Sequence, residues 1–67
     1  MITLTKLNGT QFVLNSDLIE VIQENPDTTI RLTNGTTYIV EESMQDIVGM
    51  TLQFRRKVFR DLIDSAR

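Results

Sequence analysis

The chain reads as a mainly β, α+β domain: a small five-stranded antiparallel sheet or partly open barrel of two hairpins plus a central strand, followed by a long C-terminal helix. Three observations predict it. In TTIRLTNGTTYIVE, residues 28–41, two β-rich runs flank Asn34-Gly35, the dipeptide suited to a two-residue type I′ hairpin turn. Asn8-Gly9-Thr10-Gln11-Phe12-Val13-Leu14 echoes Asn34-Gly35-Thr36-Thr37-Tyr38-Ile39-Val40 at an offset of 26 residues. From Ser43 onward the signals turn helical. The expected bounds are one domain over residues 1–67, with the sheet in 1–42 and the helix in 43–66.

Ile2 to Leu7 alternates β-branched and apolar residues, turns at Asn8-Gly9 and returns through Thr10 to Leu14. A two-residue turn puts Leu7 opposite Thr10, Thr5 opposite Phe12 and Leu4 opposite Val13. Ile2, Leu4 and Val13 then share one face, and Leu7, Phe12 and Leu14 the other. Asn15-Ser16-Asp17 is a turn cluster whose side chains bond their own backbone. Leu18 to Glu24 follows, with Leu18 and Ile22 on one side and Ile19 and Val21 on the other. Asp17 and Glu20 would suit a short helix here, but the β-branched density and the flanking turns favour a strand.

Asn25-Pro26-Asp27 is a turn with Pro26 presetting φ. By the same two-residue pairing, the second hairpin puts Ile30, Leu32 and Ile39 on one face and Arg31, Tyr38 and Val40 on the other. All three β segments then carry apolar groups on both faces. A one-residue change in loop length would alter the cross-strand partners without touching the alternation within each strand.

Ser43 is a good N-cap, with Asp46 three residues on, and Glu41 and Glu42 near the positive end of the helix dipole. The basic residues fall in the second half, where the dipole favours them. Gly49 marks either a close approach to the sheet or a soft spot. The apolar residues from Met44 to Ala66 cover roughly 220° of the circumference at about 100° per residue, where a surface helix needs little more than about 100°. Some 23 residues make a rod of about 35 Å, against strands of about 17–20 Å. The far half of the helix is therefore expected to pack on another protomer or another protein.

Composition narrows the function. A chain of 67 residues buries only about 60% of the surface its unfolded form exposes. With no cysteine and no histidine it has neither a disulfide nor the usual zinc or iron ligands. Self-association is the remaining staple. The hydrophobic fraction of 40% is that of a globular chain rather than a disordered one. No apolar run approaches the roughly 20 residues that span a bilayer, and the N-terminus lacks a signal-peptide pattern. A cytoplasmic protein is expected. Residues 1–43 carry two basic against six acidic side chains, a balance of −4, while residues 44–67 carry five against three, +2. An acidic sheet thus precedes a basic helix, a polarity suited to attraction between protomers or to a charged partner.

Catalytic chemistry is thinly supplied. The common general base and the thiol nucleophile are missing. The carboxylate pairs Glu20 with Glu24, Glu41 with Glu42 and Asp61 with Asp64 fit strand edges, caps and helix surface. The three glycines are isolated, so no phosphate loop forms. No catalytic, cofactor-binding or metal-binding residue is expected, and the chain reads as a non-enzyme. Arg55, Arg56, Lys57 and Arg60, flanked by Phe54 and Phe59, form the one basic cluster. It fits a nucleic-acid-binding regulator, a protein or peripheral anionic-membrane contact, or a solvated face with i,i+4 pairs Lys57–Asp61 and Arg60–Asp64. The last is the simplest. Arg55 falls inside the apolar arc, so it either snorkels out or pairs with an acidic group of the sheet or a neighbour.

The ordered set T-K-L-N-G at Thr5–Gly9, Phe12, L-N at Leu14-Asn15, D-L-I-E at Asp17–Glu20, P-D-T at Pro26–Thr28, L-x-N-G at Leu32–Gly35 and Y-I-V-x-E-S at Tyr38–Ser43 resembles small bacterial flagellar proteins of the FlbD/SwrD type. It covers about the first two-thirds of the chain, and the helix is its least similar part. The resemblance implies a cytoplasmic protein encoded among flagellar genes and needed for full motor power or swarming, with the flagellar basal body as a candidate location. It would act with the torque-generating stator or its assembly. It brings no catalytic residues and no cofactor. A homo-oligomer with flagellar motor or stator partners is the expectation, and a small nucleic-acid-binding regulator is the alternative. The residues expected at partner or oligomer contacts are Arg31, Tyr38, Phe54, Arg55, Arg56, Lys57, Phe59 and Arg60.

Overall fold

The computed structural model describes residues 1–65. Five antiparallel strands and one long helix follow in the expected order: β1 (Ile2–Thr5), β2 (Gln11–Leu14), β3 (Ile19–Glu24), β4 (Thr28–Leu32), β5 (Thr37–Val40) and α1 (Met44–Ser65). The strands divide into two sheets, β1-β2 and β3-β4-β5, and do not close into a barrel. A single bridge between Lys6 and Val40 stitches the sheets together. Glu41 N–H reinforces it by donating to the Thr5 carbonyl at 2.8 Å.

Both hairpins turn in the same way, and not by the two-residue loop expected. Lys6 N–H donates to Thr10 O and Gly9 N–H to Lys6 O, each at 2.9 Å. Leu32 and Gly35 repeat this pattern at 2.8 and 2.9 Å. Gly9 and Gly35 sit at φ 88° and 89°, while no non-glycine residue among those described has positive φ. A type I′ turn needs φ > 0 at Asn as well. The loops are three residues long, Leu7-Asn8-Gly9 and Thr33-Asn34-Gly35, with glycine in the left-handed position that ends such a loop. Each asparagine then uses its side chain locally: Asn8 Oδ1 accepts from Thr10 N–H at 3.0 Å and Asn34 Oδ1 from Thr36 N–H at 2.9 Å. The echo in the sequence is an echo in hydrogen bonds.

The extra loop residue moves each returning strand by one position, which reassigns its faces. Leu4 stands opposite Phe12 and Ile2 opposite Leu14. Ile30 stands opposite Tyr38 and Thr28 opposite Val40. Ile2, Leu4, Phe12 and Leu14 therefore point inward together, as do Ile30, Leu32, Tyr38 and Val40. Val13 and Ile39 face out with threonines beside them. The buried apolar groups gather on one face of each sheet, and the outer faces keep only Val13, Val21 and Ile39 among polar neighbours. In β3 the pairing slips between Ile19 and Val21, so that Ile19 and Ile22 both reach the core while Val21 faces out with Arg31. Leu18 belongs to a single 3-10 turn, Ser16–Leu18, whose first N–H groups Asn15 caps by accepting from Asp17 N–H at 3.0 Å. The turn at residues 25–27 carries a cis Asn25-Pro26 bond.

The core is Ile2, Leu4, Leu14, Ile30, Leu32 and Val40 from both sheets, closed by Ile47 of α1. Ser43 caps the helix, its Oγ accepting from Asp46 N–H at 3.1 Å. Ile47 is fully buried, and Met50 and Thr51 are half-buried. Beyond Thr51 every described residue of the helix is exposed. The molecule is accordingly elongated, 46 × 23 × 19 Å. An added Cβ at Gly49 would meet nothing within 4 Å, so the glycine does not mark a close approach to the sheet. Ala66 lies outside the described residues.

Candidate functional site

The residues expected at contacts fall in three separate places. Arg31 lies on the outer face of β4, its Nη2 3.0 Å from Glu20 Oε1. The slip in β3 sets Glu20 beside it. Tyr38 lies on the inner face of β5, half-buried, against Phe12 with ring centroids 5.0 Å apart and planes tilted by 33°. Lys6 Nζ stands 5.7 Å from the Phe12 ring centre and 5.9 Å from that of Tyr38, so its charge lies over both π faces. Arg31 and Tyr38 were expected on one face. The register of the hairpin puts them on opposite faces, so they do not form one contact surface.

The other six candidates are on the exposed run of α1. Phe54 is on the side that continues the line of Ile47, beyond the edge of the sheets. Phe59, 65% exposed, is on the adjoining side with Leu62, 63% exposed. Between them Arg55 reaches back, its Nη2 3.3 Å from Asp17 Oδ1 of the 3-10 turn. Of the two alternatives its place in the apolar arc left open, Arg55 combines both: it snorkels out, its side chain 61% exposed, and pairs with an acidic group beside the sheet. Arg56, Lys57 and Arg60 project from the polar side. Among the described residues only the Arg31–Glu20 and Arg55–Asp17 pairs lie within ion-pair distance, so the Lys57–Asp61 and Arg60–Asp64 pairs are not made.

Two carboxylates do work that the sequence did not reveal. Glu24 Oε1 accepts from Met44 N–H and from Thr28 Oγ, each at 3.2 Å. It thereby places a negative charge at the start of α1, where the dipole favours it. Glu42 Oε1 accepts from Thr5 N–H at 2.8 Å. Burial pushes the Glu42 carboxyl up, but hydrogen bonds from Thr5 outweigh it and hold the group below its ordinary value of 4.5. Neither contact leaves a local signature, because the partners lie 20 and 37 residues apart.

The acidic side chains do not converge. Among the described residues no group of three or more could hold a metal ion, and no helix is long and apolar enough to cross a membrane. The described surface is that of a small α+β domain whose outer sheet faces mix polar side chains with Val13, Val21 and Ile39, and of a helix whose far half carries bare apolar groups beside basic ones.

Comparison with known families assigns that domain. The family model for flagellar and swarming motility proteins (FlbD) matches residues 1–59, and the chain belongs to this family. It is a family of motility proteins, not of enzymes. The match runs well past the β region to include Gly49 and the basic triplet Arg55-Arg56-Lys57, so most of the helix is part of the family pattern. No curated protein and no solved structure matches the chain.

Proposed function

We propose that the protein supports flagellar motor power and swarming as a non-enzymatic, self-associating protein, working with the stator or its assembly on the cytoplasmic side of the basal body. Family membership supports the motility role. The observation that carries the mode of action is the far half of α1, where Val58, Phe59, Leu62 and Ile63 are all more than two-fifths exposed. A helix with this much bare apolar surface is disfavoured in water unless something covers it. The basic side chains around it suit an acidic partner surface.

Deletion of the gene is the direct test. The expected strain assembles flagella of normal number and length, yet swims or swarms weakly and shows reduced torque when cells are tethered by a filament. Normal torque and swarming in that strain would remove the proposal.

A second reading has one observation behind it. Arg56, Lys57 and Arg60 have no acidic partner within ion-pair distance among the described residues, as phosphate-binding groups would require. A nucleic-acid-binding regulator would bind RNA or DNA with steep salt dependence and lose binding on charge reversal at these positions. Absence of binding at low salt ends that reading.

A further inference from the structure

Val48, Leu52, Arg55, Phe59 and Leu62 follow one another at spacings of four, three, four and three residues. That is the seam spacing of a two-stranded coiled coil. At about 100° per residue the seam points roughly 100° away from Ile47, and its near part borders the β region, with Val48, Leu52 and Arg55 lining an open cleft together with Ser16, Ile19 and Ile22. Its four apolar members are all exposed in the single chain. We infer that this seam is the contact surface for a second copy of the chain, laid antiparallel across it.

Two features select that occupant and that direction. Reversing the helix maps four of the five seam positions onto one another, with Leu62 left beyond the paired stretch: Val48 meets Phe59 of the second copy and Leu52 meets its Arg55. A large side chain thus faces a smaller one at the outer layers. A parallel pair would set Arg55 on Arg55 and superpose the two basic clusters, which is repulsive. The antiparallel pair instead swings each basic far half toward the other copy's acidic end. Residues 55–65 carry four basic and two acidic side chains, while residues 1–54 carry two basic and seven acidic. Arg55 enters the seam with its charge already met by Asp17 of its own chain at 3.3 Å, and its aliphatic stem is what packs. A single polar residue of this kind fixes register. Gly49 falls on the flank of the same seam, and nothing in its own chain occupies the space of its missing Cβ. That space lies open to the Arg56 stem of the second copy.

This inference rests on the self-association proposed above and is independent of the motility role. Sedimentation equilibrium on the full chain is expected to show a dimer. Phe59→Asp is expected to raise its dissociation constant roughly 100-fold or more, since two buried rings are lost per dimer. The circular dichroism and melting of the dilute variant stay as in the parent, because Phe59 touches none of the buried core. The chain has no cysteine of its own, so a mixture of Val48→Cys and Phe59→Cys chains reports direction. Under oxidation the disulfide between the two different variants is expected, without either like-with-like product. A dimer untouched by Phe59→Asp, or like-with-like disulfides, overturns the seam or its direction while leaving self-association standing. A chain that stays monomeric at every concentration overturns both. A monomer that sediments with phosphatidylglycerol vesicles through the same helix assigns the surface to a membrane instead.

Discussion

The two halves of α1 are built from similar residues and sit in different surroundings. From Met44 to Thr51 the helix is anchored along one side: Ser43 caps it, Glu24 holds its first N–H, and Ile47 closes the core with no exposed surface. From Leu52 to Ser65, among the described residues, a single surface ion pair, Arg55–Asp17, ties the helix back to the β region. Yet the far half still carries six apolar side chains, Leu52, Phe54, Val58, Phe59, Leu62 and Ile63. Ile47, over the sheets, stabilises the fold, whereas the apolar side chains beyond Thr51 are left exposed in the single chain.

The largest expected effect sharpens this contrast. Ile47→Ala empties a fully buried site and is expected to destabilise by about 3 kcal/mol. In so small a domain that brings urea denaturation close to the conditions of the native state. Ser43→Ala removes the cap and is expected to lose about 1 kcal/mol, read from the same denaturation curves. Acid titration probes the other end of the near-half anchorage. The Glu42 carboxyl lies below 4.5 in the folded protein, so its contribution is present above that pH and lost as the pH falls beneath it. Glu42→Gln is expected to flatten that part of the stability profile between pH 6 and about 3, measured by thermal melting.

The far half is expected to respond weakly. Asp17→Asn breaks an ion pair whose side chains are 61% and 72% exposed, with a loss of no more than about 0.5 kcal/mol. Phe59→Ala, in chains dilute enough to be monomeric, is expected to change stability by less than about 0.5 kcal/mol. A far-half substitution with a loss as large as that of Ile47→Ala would erase the contrast.

The sequence made the contrast partly legible. The over-wide apolar arc and the excess length of the helix announced that one half would have no sheet beneath it. The cap at Ser43 was readable because its partner lies three residues away. The hairpins were readable from Asn-Gly, but that dipeptide places glycine in the left-handed region in two-residue and three-residue loops alike. A signal that separates them was present: only the three-residue loop puts Leu4 with Phe12 and Ile30 with Tyr38, gathering apolar groups on one face. The two-residue register mixed the faces and so made the sheets look apolar on both sides and Arg31 look like a neighbour of Tyr38. The slip at Glu20 and the contacts of Glu24 and Glu42 had no sequence signal, since each depends on where distant segments meet. Among the site candidates, the exposed helix was legible from periodicity, and its separation from Arg31 and Tyr38 was not.

The claim that the far half of α1 acts outside its own chain has a direct test in cells lacking the gene. Phe59→Asp, produced at the parent level and folded, is expected to leave swarming and motor torque as weak as in the deletion, while Ser43→Ala restores them. Full restoration by Phe59→Asp would contradict the account.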